Sequence, residues 1–62
     1  MVNINTADQT TLEQLPDVGP VTAKSILDYR AEKGSFSAVD ELLEVSGIGD
    51  KTLAEIAPYC TI

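Results

Sequence analysis

Two glycines, an apolar residue, a lysine and a hydroxyl fall within one short run, Gly47-Ile48-Gly49-Asp50-Lys51-Thr52. A related run, Val18-Gly19-Pro20-Val21-Thr22 with Lys24 just after it, lies thirty residues earlier. Each is preceded by an apolar residue three positions before the central one, Val45 before Ile48 and Leu15 before Val18. Glycine allows the positive φ of a tight, non-helical reversal. The apolar residue of each run can turn inward as an anchor. The residues after each turn are compatible with a helix, and the first four N–H groups of a helix have no internal partner. Amides gathered in that way suit a phosphate oxygen above other ligands. The chemistry expected here is therefore anion binding by two turns related by an internal two-fold.

Catalysis is not expected. The chain has no histidine and one cysteine, Cys60. That removes the commonest general base, Ser-His and Cys-His arrangements, an internal disulfide and a Cys/His zinc site. The ten carboxylates are spread at helix-surface spacings with no evident pair. No cofactor, metal or small-molecule substrate is expected. The 44% hydrophobic content suits a globular domain rather than a disordered tail, and no apolar run approaches the roughly 20 residues that span a bilayer. No signal peptide is legible, and the chain is expected to be a domain excised from a longer protein. At 62 residues it buries only about 60% of its unfolded surface, which predicts modest stability.

The elements that position the two turns are legible in order. Val2 and Ile4 alternate with Asn3 and Asn5 in a short extended start. Thr6 to Gln9 has the form of a capping box, with Thr6 as cap and Gln9 reaching back. The first helix is expected to run to about Gln14 with Ala7, Thr11, Leu12 and Leu15 inward, and Pro16 ends it. Gly19-Pro20 opens a second, longer helix from Val21 to about Lys33, since proline at the first helical position loses no hydrogen bond. Ala23, Ile26, Leu27 and Arg30 share its inner stripe. Gly34 is its stop, and Phe36 is a core plug in the crossover. Ser37 to Asp40 is a second capping-box-like start for a short helix, about Ala38 to Glu44, burying Val39, Leu42 and Leu43. A fourth helix runs from Asp50 to about Ala57, burying Leu53 and Ile56. Pro58 helps close it, and the tail from Tyr59 to Ile62 packs back on the core.

A shift of thirty residues places Leu12 on Leu42, Leu15 on Val45, Val18 on Ile48, Gly19 on Gly49, Thr22 on Thr52, Ile26 on Ile56 and Tyr29 on Tyr59. Neither half can bury its apolar stripe alone, which predicts one all-α domain over residues 1–62. It is made of two pseudo-symmetric units, 6–33 and 37–57, in four short helices with a crossover connection. Tyr29 and Tyr59, at equivalent positions, are expected to pack rather than to stack on bases. Cys60 is expected to be a small apolar filler. Arg30, on the inner stripe, is expected to bond loop carbonyls rather than DNA.

The ordered set Asn3-Ile4-Asn5-Thr6-Ala7, Leu15-Pro16-x-Val18-Gly19-Pro20, Ile26-x-x-Tyr29-Arg30, Gly34-x-Phe36 and Gly47-Ile48-Gly49 resembles the C-terminal tandem helix-hairpin-helix domain, (HhH)2, of ComEA-type competence DNA receptors. The resemblance covers nearly the whole chain. It implies non-sequence-specific binding of double-stranded DNA through phosphates of both strands, in DNA uptake alongside other uptake-machinery proteins. It also implies a place at the outer face of the cytoplasmic membrane or in the periplasm, in a domain that does not itself span the membrane. Carried onto this chain, Gly47, Ile48 and Gly49 shape the second turn. Amides from Gly49 to Thr52, with Lys51 and the Thr52 hydroxyl, face phosphate. In the first turn Gly19, Val21 and Thr22 are the candidate contacts, with Lys24 as nearby cation. Both lysines stand equally as phosphate contacts or as solvated surface residues.

Two features oppose that reading. The net charge is −6, with three cations against five carboxylates in residues 1–34 and one against five in residues 35–62. Nucleic-acid modules ordinarily carry a basic face. Asp17 stands where the family usually has glycine. It tolerates a left-handed φ, but its carboxylate lies beside the proposed phosphate. The alternative expectation is a protein-interaction or structural module with little DNA binding.

Overall fold

The computed structural model describes residues 1–62. The order of elements is β1 (Val2–Asn3), α1 (Gln9–Leu12), α2 (Pro20–Lys33), a 3-10 helix over Val39–Glu44, α3 (Asp50–Ile56), a 3-10 turn over Ala57–Tyr59 and β2 (Cys60–Thr61). The fold is all-α apart from one small two-stranded sheet. Thirteen buried residues form a single cluster drawn from both halves, and Ile4, Leu12, Ile26, Leu42 and Ile56 are its largest fully enclosed side chains.

The first helix starts two residues later than the capping-box pattern predicts. Asn3 is the reason. Its Oδ1 accepts the Asn5 N–H at 2.9 Å, and its carbonyl accepts from Thr6 at 3.1 Å and Ala7 at 2.9 Å. The chain is thus still turning at Thr6, and Asp8 becomes the cap, its Oδ1 accepting the Thr11 N–H at 2.9 Å. Gln9 does not reach back. Its Nε2 donates to Glu13 Oε2 at 3.0 Å. Past Leu12 the chain tightens into i→i−3 bonds, Gln14 to Thr11 and Leu15 to Leu12, each 3.1 Å.

The short helix of the second half is 3-10 rather than α. Three residues per turn bring Val39, Leu42 and Val45 to the same inner side. That period turns Leu43 out of the predicted core, leaving it 40% exposed. The Ser37 hydroxyl makes no cap. Glu41 reaches back instead, its Oε1 accepting the Ser37 N–H at 2.9 Å and its Oε2 the Tyr29 hydroxyl at 2.8 Å. Both bonds, the Ser37 N–H first, hold the Glu41 carboxyl below the usual glutamate range, and the bond to Glu41 raises the Tyr29 phenol. Tyr29 also stacks on Phe36 with ring centroids 5.1 Å apart, so it packs as expected.

Three devices close the crossover and the termini. The Asn5 side chain clamps Phe36, accepting its N–H at 2.7 Å and donating to its carbonyl at 3.1 Å. Arg30 Nη1 donates to the carbonyls of Ile4 at 3.0 Å and Ala7 at 2.9 Å, as the inner stripe predicts. The tail pairs in parallel with the start of the chain, Val2 beside Cys60 and Asn3 beside Thr61. Cys60 is buried there as a filler, and burial pushes its thiol up.

Candidate nucleic-acid interface

The thirty-residue repeat is a repeat of geometry. Leu15 N–H bonds to Leu12 and Val18 N–H to Leu15 at 3.1 and 3.2 Å. The equivalent bonds of the second half, Val45 to Leu42 and Ile48 to Val45, measure 3.0 and 3.1 Å. Asp17 has φ 61 and Gly47 φ 95, both left-handed. Gly19 and Gly49 are then extended helix caps with φ −98, ψ −170 and φ −103, ψ −174. The first helical bonds, Ala23 to Gly19 and Leu53 to Gly49, are both 2.9 Å. The inward anchors match as well, Val18 and Ile48 each being 5% exposed. Positive φ is thus confined to one position of each turn. Gly49 serves as a cap without it, and Asp17 adopts it as its residue type allows.

The predicted site residues fall into three groups. Gly19, Val21 and Thr22 open α2, and Gly49, Lys51 and Thr52 open α3, with N–H groups that precede the first helical bond and have no partner in the chain. Asp50 adds a fourth free amide to the second turn, whereas Pro20 at the equivalent place has none. Gly47 and Ile48 belong to the turn itself. The Ile48 side chain is buried and its N–H is bonded to Val45, so it anchors the turn. Lys24 and Lys51 are exposed, while Thr22 and Thr52 are half-buried. Val21 stands 81% exposed where the repeat has Lys51 in the other half.

The two turns lie against each other's helices. A Cβ built on Gly47 would come 3.3 Å from Thr22 Oγ1, at the start of α2. In the other half, the Glu55 carboxyl on α3 is influenced by a hydrogen bond to the Asp17 side chain. The Glu55 carboxyl is raised above the usual range, first by that hydrogen bond, then by burial and the Asp17 charge, with Lys51 acting the other way. This carboxyl pair is not legible in the sequence, because thirty-eight positions separate its members and the repeat maps them onto Gly47 and Ser25. Of the remaining cations, Arg30 is committed to carbonyls, and Lys33 sits at the far end of α2, roughly 20 Å from its start at 1.5 Å per residue.

Helix-hairpin-helix geometry is what comparison with known proteins finds. The helix-hairpin-helix motif family matches residues 1–61, and the chain belongs to that family. ComE operon protein 1 of Bacillus subtilis is 40% identical over 62 residues, all of this chain and 30% of that protein, which agrees with the ComEA-type resemblance. Endonuclease/exonuclease/phosphatase family domain-containing protein 1 of Homo sapiens is 42% identical over 55 residues, 89% of this chain and 10% of that protein. An uncharacterized protein of Haemophilus influenzae is 42% identical over 53 residues, 84% of this chain and 47% of that protein. The chain thus spans less than half of each of these relatives.

Proposed function

We propose that this chain is a DNA-binding module that holds duplex DNA by its phosphates, without regard to base sequence. The observation that carries the reading is the pairing of two equivalent turns, each ending in unpartnered amides and each set against the other's helix. Amides fixed at a helix start need no reorganisation to meet a phosphate oxygen. Two such groups side by side can engage both strands, and neither reads base edges. Gly49, Lys51 and Thr52 contact one strand through amides, ammonium and hydroxyl, with Gly47 and Ile48 shaping the turn. Gly19, Val21 and Thr22 contact the other through amides, with Lys24 supplying charge. Residues 1–62 act in this as one domain of two units, 6–33 and 37–57.

The similarity to ComE operon protein 1 supports a role in DNA uptake for competence. By the same resemblance the domain works beside other uptake proteins, at the outer face of the cytoplasmic membrane or in the periplasm. No helix is long and apolar enough to cross a membrane. The role is binding rather than catalysis. The stretch similar to the endonuclease/exonuclease/phosphatase family protein is only one tenth of that protein.

A second reading, a protein-docking module, draws on one observation. Met1, Val2, Gln14, Leu15, Pro16 and Tyr59 line an open cleft of about 290 Å³ beside the lead-in to the first turn.

Fluorescence anisotropy of a labelled, mixed-sequence duplex of about 20 base pairs distinguishes the two. Dissociation constants on the order of 10⁻⁴ to 10⁻⁶ M are expected at physiological salt, with a shallow log–log salt slope near −2.7 for about three phosphate contacts. Flat traces at low salt from a folded domain would overturn the DNA reading in favour of docking.

A further inference from the structure

Of the four glycines, Gly47 alone has a distant part of the chain against its α-carbon. A Cβ there would come 3.3 Å from Thr22 Oγ1 and 3.9 Å from Thr22 Cγ2, whereas one on Gly19, Gly34 or Gly49 would meet nothing within 4 Å. Thr22 is half-buried in the first turn of α2, just after the Gly19 cap. Its N–H belongs to the free amides of the first turn, while its Oγ1 and methyl rest over the bend of the second. A β-branched side chain has few rotamers open to it in a helix, so the contact holds position as a spacer would. The repeat does not duplicate this seam. Thr52 matches Thr22, but Asp17, which carries a Cβ, matches Gly47. Thr22 thus joins the two groups of amides where the second turn has no side chain of its own.

We propose that Thr22 is a positioning residue for the second turn. Its side chain, seated on Gly47, fixes the separation of the two amide groups to suit phosphates on the two strands of a duplex. The Thr22 hydroxyl then serves the seam, and only its N–H serves phosphate. On the DNA-binding reading, on which this rests, two weak contacts on one rigid frame act as a stronger one. The second is made at high effective concentration, and that gain is lost when the spacing is wrong. A duplex holds its strands at a fixed separation and is sensitive to the spacing. A single strand can bend to suit it and is less so. Gly47 is glycine for two reasons on this account, its φ of 95 and the room it leaves for Thr22.

The test is anisotropy at low salt with the labelled mixed-sequence duplex and with one of its strands alone, folding being checked by circular dichroism. The readout is the ratio of duplex to single-strand affinity. Thr22→Ala is expected to lower that ratio by about threefold, and Gly47→Ala, which pushes the turn off α2, by about tenfold. Adding Thr22→Ala to Gly47→Ala makes room for the new methyl and is expected to bring the ratio back to within about threefold of wild type. Gly34→Ala separates the seam from backbone strain, because Gly34 has φ 94 and no neighbour within 4 Å. It is expected to cost stability while leaving the ratio within about twofold of wild type. Should Gly47→Ala not fold, Thr22→Ala decides alone. A ratio unmoved by Thr22→Ala, a fall as large in Gly34→Ala, or no recovery in the double variant overturns this proposal. The DNA reading stands in each of those cases if the wild type binds duplex. Absence of duplex binding by the folded wild type overturns both.

Discussion

The two turns share a backbone and differ in their side chains. Their anchors are equally buried, their caps agree within a few degrees, and their turn bonds agree to about 0.1 Å. Yet the first presents Asp17, Pro20 and Val21 where the second presents Gly47, Asp50 and Lys51. One free amide is missing from the first, an acid stands at its bend, and an exposed valine replaces the lysine. Geometry is thus kept by the inward residues, and on the proposed function ligand strength falls to the outward ones. The second turn is expected to bear most of a phosphate contact, with the first contributing position more than affinity.

The largest expected effect separates the turns by stability. At Gly47, an alanine meets both the positive φ and Thr22 Oγ1 at 3.3 Å. Gly47→Ala is expected to cost about 1–2 kcal/mol in chemical denaturation. Gly19→Ala meets nothing within 4 Å at an ordinary φ and is expected to fall within about 0.5 kcal/mol. Equal costs at the two sites would break the comparison. Next comes charge. Lys51→Glu is expected to weaken duplex binding by about tenfold or more, read by anisotropy at low salt, with less effect as salt rises. Copying the second turn onto the first is a smaller step: Val21→Lys is expected to tighten binding by about threefold and to steepen the salt slope by about one. A tightening as large as the loss in Lys51→Glu would mean that the turns carry equal shares.

The smallest effect concerns the helices leading into the turns. Asp8 and Glu41 are both held below their ordinary carboxyl values of 3.8 and 4.5 by backbone N–H bonds, from Thr11 and Ser37 respectively. A depressed carboxyl stabilises the fold above its unfolded value and ceases to do so as pH falls through its folded value. Thermal melts are therefore expected to show stability falling below about pH 4, and Asp8→Asn is expected to flatten part of that fall while keeping a capping oxygen.

Much of this architecture is legible from residue types. Gly-x-Gly before a helix, proline at the first helical position and the thirty-residue match of Leu12 with Leu42 and Ile26 with Ile56 are local or periodic signals. The structure agrees with them. Arg30 meets its carbonyls because a charged residue on an inner stripe must find acceptors. Where the expectation fails, a competing partner intervenes. Asn3 captures the amides that Thr6 was to precede, moving the cap to Asp8. A three-residue period puts Leu43 outside while keeping Leu42 in. The parallel pairing of Val2–Asn3 with Cys60–Thr61 joins distant positions without a pattern that a linear reading can register.

The claim that the two turns form a phosphate-binding surface, led by the second, is tested most directly by amide NMR. A ¹⁵N-labelled domain titrated with a short mixed-sequence duplex at low salt is expected to show its largest shifts at Gly49, Asp50, Lys51 and Thr52. Smaller shifts are expected at Gly19, Val21 and Thr22, and all should fade as salt is raised. Shifts centred instead on Val2, Leu15 and Tyr59, around the apolar cleft, or none at all from a folded domain, would contradict it.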